Sequence, residues 1–115
     1  MAKVFGIHQL ELKPDANVAE FEQFVRDELN AVPGIPGWQG SIAKGDRGES
    51  VGKYVLIVEV ESLETRNRDI PHDGPVSPAM EKWRDTSLPT FDKLNSYLTA
   101  PFGMGVFTDY VVVSR

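Results

Sequence analysis

His8 and Asp109 are the residues whose chemistry can be joined most directly. His8 stands in the middle of a strand-like opening segment, Lys3 to Leu12 (KVFGIHQLEL), and Asp109 in the middle of a strand-like closing segment, Gly105 to Val113 (GVFTDYVVV). If the fold pairs these segments, an imidazole lies beside a carboxylate. A carboxylate that accepts from one imidazole nitrogen fixes the tautomer and raises the basicity of the other, which is how a general base is built. Side chains alternate along a strand, so His8 shares a face with Val4, Leu10 and Leu12, and Asp109 shares one with Phe107, Val111 and Val113. A histidine on an apolar face also suits a purely structural role, hydrogen-bonded within the core.

His72, in Pro71-His72-Asp73-Gly74, sits in a loop, where binding residues are common and solvated histidines commoner. Trp83 recurs with Met80 and Ser87 at helical spacing, a core anchor first and a pocket wall second. The two histidines are too far apart to form a metal motif. Gly45 to Lys53 is glycine-rich but fails as a phosphate loop, because Tyr54 replaces the required Ser or Thr and strand, not helix, follows. It reads as a hairpin loop, and the expectation is a protein without metal, nucleotide or other cofactor.

The elements that position these residues follow from periodicity. Asn17 with Glu20 three residues on forms a capping box, and Val18, Phe21, Val25 and Leu29, widened by Phe24, make the apolar stripe of a helix that stops at Pro33-Gly34. Trp38 to Lys44 predicts a second strand. Lys53 to Val60 is nearly continuous apolar sequence and predicts a central strand buried on both faces. Ser62 caps a helix over Leu63 to Ile70, Pro71 to Pro78 breaks it, and Ser77-Pro78 opens another through Trp83. Leu88-Pro89 predicts an interruption, with a further helical piece carrying Phe91, Leu94 and Leu98.

Two successive strand–helix–strand halves describe one α+β domain over 1–115, a split βαβ or ferredoxin-like antiparallel sheet with helices on one face. The first and last strands are then neighbours. The other face would carry Phe5 and Ile7 with Val106, Tyr110 and Val112, apolar enough to require a second copy of the chain. A net charge of −5 and scattered Lys and Arg residues argue against nucleic acid. Cysteine is absent, which excludes disulfides and thiolate chemistry, and no segment reads as a signal peptide or membrane span. A soluble cytoplasmic protein is expected.

The run Val58 to Thr65 (VEVESLET), His72 soon after it, Glu81-Lys82-Trp83, and Phe107 to Tyr110 (FTDY) together resemble the dimeric α/β-barrel superfamily. Within it, the chain is most similar to the stress-responsive A/B-barrel proteins and the plant polyketide cyclase, and more loosely to antibiotic-biosynthesis monooxygenases. The resemblance implies a homodimer with sheets packed face to face, and in each protomer a pocket between helices and sheet for a small apolar, aromatic or polyketide-like molecule. Phe21, Phe24, Trp83 and Phe107 are the side chains expected to wall it. Asp109 matches the family's pocket aspartate, whereas Asp69 stands where the cyclase has its tyrosine and Pro75 where it has its catalytic histidine, with His72 at an accompanying position. No histidine follows Trp83, which disfavours the heme-degrading branch. Two functions are therefore open. One is a cofactor-independent oxygenase or cyclase in which His8 moves a proton, Asp109 orients it and His72 or Tyr110 assists; the other is a non-catalytic ligand-binding or stress-responsive dimer.

Overall fold

A computed structural model describes residues 2–102 and 107–114. Three polar side chains set the helix starts. The Asn17 carboxamide oxygen accepts from the Glu20 amide at 3.0 Å and opens α1, Val18–Phe24. The Ser62 hydroxyl accepts from the Thr65 amide and opens α2, Leu63–Asp69; Ser77 does the same for Met80 and, with Pro78 in the first turn, opens α3, Pro78–Ser96. Each cap satisfies an amide that the helix itself leaves without a partner. After Phe24 the first helix widens into a π turn over Val25–Leu29, where the Asn30 amide donates to the Val25 carbonyl at 3.0 Å.

The predicted break at Leu88-Pro89 does not occur: α3 runs through Pro89 as one helix of 19 residues. Proline removes the hydrogen bond that would reach the Asp85 carbonyl, but Asp85 and Pro89 are both exposed, so water can satisfy that oxygen. Two residues earlier the buried Ser87 donates its hydroxyl to the Trp83 carbonyl at 2.7 Å, and on the inner face Leu94 is fully buried. Packing of that face outweighs the local penalty.

Four strands, β1 (Val4–Leu10), β2 (Trp38–Lys44), β3 (Tyr54–Val60) and β4 (Phe107–Val111), form an antiparallel sheet in the order β2-β3-β1-β4. This is the split βαβ arrangement, and β1 and β4 are neighbours as expected. The part of the closing segment at residues 103–106 lies outside the described residues. β3 is central in the sheet but not buried on both faces: Tyr54, Leu56 and Val60 are buried under the helices, while Val55, Ile57 and Glu59 are only half-buried because no layer among the described residues covers them. Leu10, Phe21, Phe24, Tyr54, Leu56, Leu94 and Leu98 form the core between helices and sheet.

The hairpin that joins β2 to β3 turns too tightly at Gly45 for a side chain. A methyl group there would stand 1.9 Å from the Ser50 carbonyl oxygen, which is backbone and cannot swing aside. Gly45→Ala is expected to cost about 1–3 kcal/mol in chemical denaturation; an unchanged midpoint would show that the loop rearranges freely. Among the described residues no helix is long and apolar enough to cross a membrane.

Candidate functional site

Register decides what His8 meets. In the β1–β4 ladder His8 is directly opposite Phe107, and Gly6 is opposite Asp109, so His8 and Asp109 stand diagonally on the helix-covered face. Gly6 lies between them without a side chain. A methyl group at Gly6 would be 2.9 Å from Asp109 Oδ1 and 3.6 Å from His8 Nε2, so both polar atoms border the same small gap. The expected hydrogen bond between imidazole and carboxylate is not formed. Asp109 Oδ2 instead accepts from Arg66 Nη1 at 2.6 Å, an ion pair from the middle of α2 to the middle of β4. Arg66 was not singled out in the sequence, because 43 residues separate it from Asp109.

Half-burial holds the His8 pKa below the ordinary histidine value, and the charge of Asp109 offsets this only in part. The shift favours the neutral imidazole. It is stacked on Phe107 (centroids 5.1 Å apart, planes at 12°) and tilted against Phe102 at 5.0 Å. Phe102 in turn packs on Phe91, and Phe91 on Trp83, so an aromatic row leads from the imidazole to α3. Among the described residues, none forms a hydrogen bond with the His8 ring.

The other expected wall residues lie elsewhere. Phe21 and Phe24 belong to a separate aromatic group with Tyr54 and Tyr97, and are 0% and 4% exposed. They are interior packing. His72 is exposed in the loop before α3, and no described hydrogen bond or ring contact joins it to His8 or Asp109.

An open-mouthed cavity of about 790 Å³ lies at the end of β1, between the β2–β3 hairpin and the Thr99–Phe102 segment. His8 and Phe102 form one part of its wall and Lys44, Lys53 and Tyr54 another; Phe21, Phe24, Trp83 and Phe107 do not line it. The Tyr54 hydroxyl donates to Glu22 Oε2, and Lys44 Nζ donates to the same oxygen at 3.1 Å. These two donors lower the Glu22 pKa, while burial and the Glu22 hydrogen bond raise that of Tyr54. Tyr54 is thus a protonated donor already engaged. Among the described residues no three of His, Asp and Glu are grouped as metal ligands.

Asp69, which falls where the resembled cyclase has its tyrosine, serves structure. It is 1% exposed, and its carboxylate accepts from Trp38 Nε1 at 2.8 Å, Ser77 Oγ at 2.8 Å and Arg68 Nη2 at 3.0 Å. One buried acid thereby ties the start of β2 and the start of α3 to the end of α2.

No family model matches the sequence, and no curated protein matches it. Solved structures do match over nearly the whole chain. A dimeric ferredoxin-like protein of unknown function from Thermobifida fusca aligns at a TM-score of 0.53 and 10% identity, over 96% of this chain and 92% of its own. A Bordetella bronchiseptica protein provisionally named an antibiotic biosynthesis monooxygenase aligns at 0.53 and 15% identity, over 100% and 99%. A dimeric protein of unknown function with a ferredoxin-like fold from Bacteroides fragilis aligns at 0.51 and 15% identity, over 96% of each chain. The chain has the ferredoxin-like fold that these proteins share.

Proposed function

We propose that this protein is a homodimer that binds a small apolar, aromatic or polyketide-like molecule in the cavity beside His8, and that His8 accepts a proton from ligands acidic enough to give one. The observation that carries the reading is the state of His8: half-buried, stacked on Phe107 and tilted against Phe102, on a cavity wall, with no hydrogen-bond partner among the described residues. Neither ring nitrogen is enclosed without a partner, so both stay open to solvent or to a ligand in the cavity. A neutral imidazole with an uncommitted nitrogen beside aromatic walls suits a flat ligand, and proton transfer to it requires no metal or nucleotide. His72 has no part in this chemistry.

A second copy of the chain is the reading that fits the uncovered face of the sheet. Phe5 and Ile7 of β1 and Val55 and Ile57 of β3 are half-buried there, and Tyr110 of β4 is 57% exposed. Two of the similar structures are described as dimeric. Sedimentation at micromolar concentration should give a dimer; a monomer would remove this part of the proposal.

The non-catalytic alternative is favoured by one observation, the commitment of Asp109 to Arg66 rather than to His8. The purified protein can be titrated with flat aromatic probes while the His8 ring signals are followed by NMR, and then assayed for turnover of phenols and polyketide-like carbonyls with chelator present. Binding with turnover that chelator leaves intact supports the enzyme, and binding alone supports the carrier. No perturbation of His8 by any probe defeats both.

A further inference from the structure

The gap left by Gly6 organises the charged groups of the candidate site. On β1 it stands two residues before His8, and across the ladder it faces Asp109, so Nε2 and Oδ1 approach it from two sides. The remaining oxygen, Oδ2, is held by Arg66 Nη1. The guanidinium is itself steadied, because Arg66 Nε donates to Asn67 Oδ1 at 2.9 Å. Arg66 and Asp109 have side chains only 24% and 36% exposed, so the pair is less screened than one fully at the surface. A carboxylate gripped at one oxygen presents the other in a set direction.

We propose that Arg66 is the positioning residue of this site: it holds Asp109 with Oδ1 turned toward His8 across the Gly6 gap, selecting ligands that carry an acidic hydroxyl, a phenol or an enol. The inference rests on the proposed binding function and names its ligand class. In the proton transfer, the ligand O–H bond breaks, its electron pair stays on the ligand oxygen, and a new N–H bond forms at Nε2. The imidazolium so formed faces a fixed carboxylate. Before transfer the arginine has a second effect, since its positive charge offsets the field of Asp109 at a ring whose pKa burial already lowers. The ionisable groups around the ring are Asp109 from β4 and Arg66 from α2 behind it, with Glu11, Lys44, Lys53 and Tyr54 around the cavity.

The first test needs no ligand. His8 is titrated by NMR in the intact protein, with His72→Asn in every sample so that one histidine is observed. Arg66→Gln should raise the His8 midpoint, because Asp109 is then uncompensated; Arg66→Lys, which keeps the charge, should leave it close to the parent value. Asp109→Asn should lower it, and adding Arg66→Gln to Asp109→Asn should have a smaller effect than Arg66→Gln alone. A midpoint that does not move in Arg66→Gln, or that moves equally with and without Asp109, overturns the proposal. The second test uses 2-naphthol and its methyl ether, 2-methoxynaphthalene, as probes. 2-Naphthol should bind about tenfold more tightly, and Gly6→Ala, which crowds Oδ1, should remove that preference. Equal binding of the two probes overturns the ligand class while leaving the aromatic cavity intact. Binding of neither defeats the binding function and the ligand class together, and the Arg66 effect on His8 is then judged on the titration alone.

Discussion

Asp69→Ala is expected to destabilise the fold by about 3–4 kcal/mol, measured by urea denaturation at neutral pH and fixed protein concentration. The carboxylate is fully enclosed, and its three donors come from Trp38, Ser77 and the neighbouring Arg68. Arg68 is exposed enough to regain water, but the Trp38 indole and the Ser77 hydroxyl are partly buried and would lose their acceptor. The same donors, Arg68 foremost, hold the Asp69 pKa at about 2 against an ordinary 3.8. A carboxyl whose pKa is depressed on folding adds stability that is fully present above the unfolded value and is lost as pH falls through the folded one. The pH-dependent part is on the order of 2 kcal/mol, disappearing between roughly pH 4.5 and pH 2. Asp69→Asn keeps the shape and should flatten that acid limb. A parent-like denaturation midpoint for Asp69→Ala, or an unchanged acid limb for Asp69→Asn, would show that the hydrogen bonds are not what joins α2 to its neighbours.

Phe21→Ala is expected to cost about 3–5 kcal/mol, with a fall in melting temperature on the order of 15 °C. Phe21 is 0% exposed and meets the edges of Tyr54 and Tyr97 with centroids 5.1 and 5.4 Å away. Truncation leaves a hole that the sheet on one side and α3 on the other cannot both move to fill. A pocket wall would behave differently: the vacated space would join an existing cavity, stability would fall little, and bound probes would respond. A loss below about 1 kcal/mol together with altered probe affinity would return Phe21 to the ligand site.

Local chemistry was legible in the sequence wherever a residue and its partner lie within one turn. The caps at Asn17, Ser62 and Ser77 are of that kind, since each side chain reaches an amide three residues on. Strand alternation was legible too, and it grouped His8 with Val4 and Leu10, and Asp109 with Phe107 and Val111, within each strand. The helix through Pro89 was not, because the cost of the proline is local while the burial that offsets it comes from residues that the chain brings up from elsewhere.

By itself the sequence determined the order of the four strands, the caps that start the three helices, and the alternation of side chains within each strand, since all of these depend on backbone periodicity and on hydrogen bonds over three or four residues. Only the tertiary structure decided the register that sets Gly6 opposite Asp109, the capture of that acid by Arg66 from 43 residues away, the hold of Asp69 on Trp38 from 31 away, and the division of the aromatic residues into an enclosed core and a row beside His8. These are contests among partners of equal chemical fitness, such as two cations or two rings. Strand pairing and helix packing settle them by distance, and distance across the fold is not written in spacing along the chain.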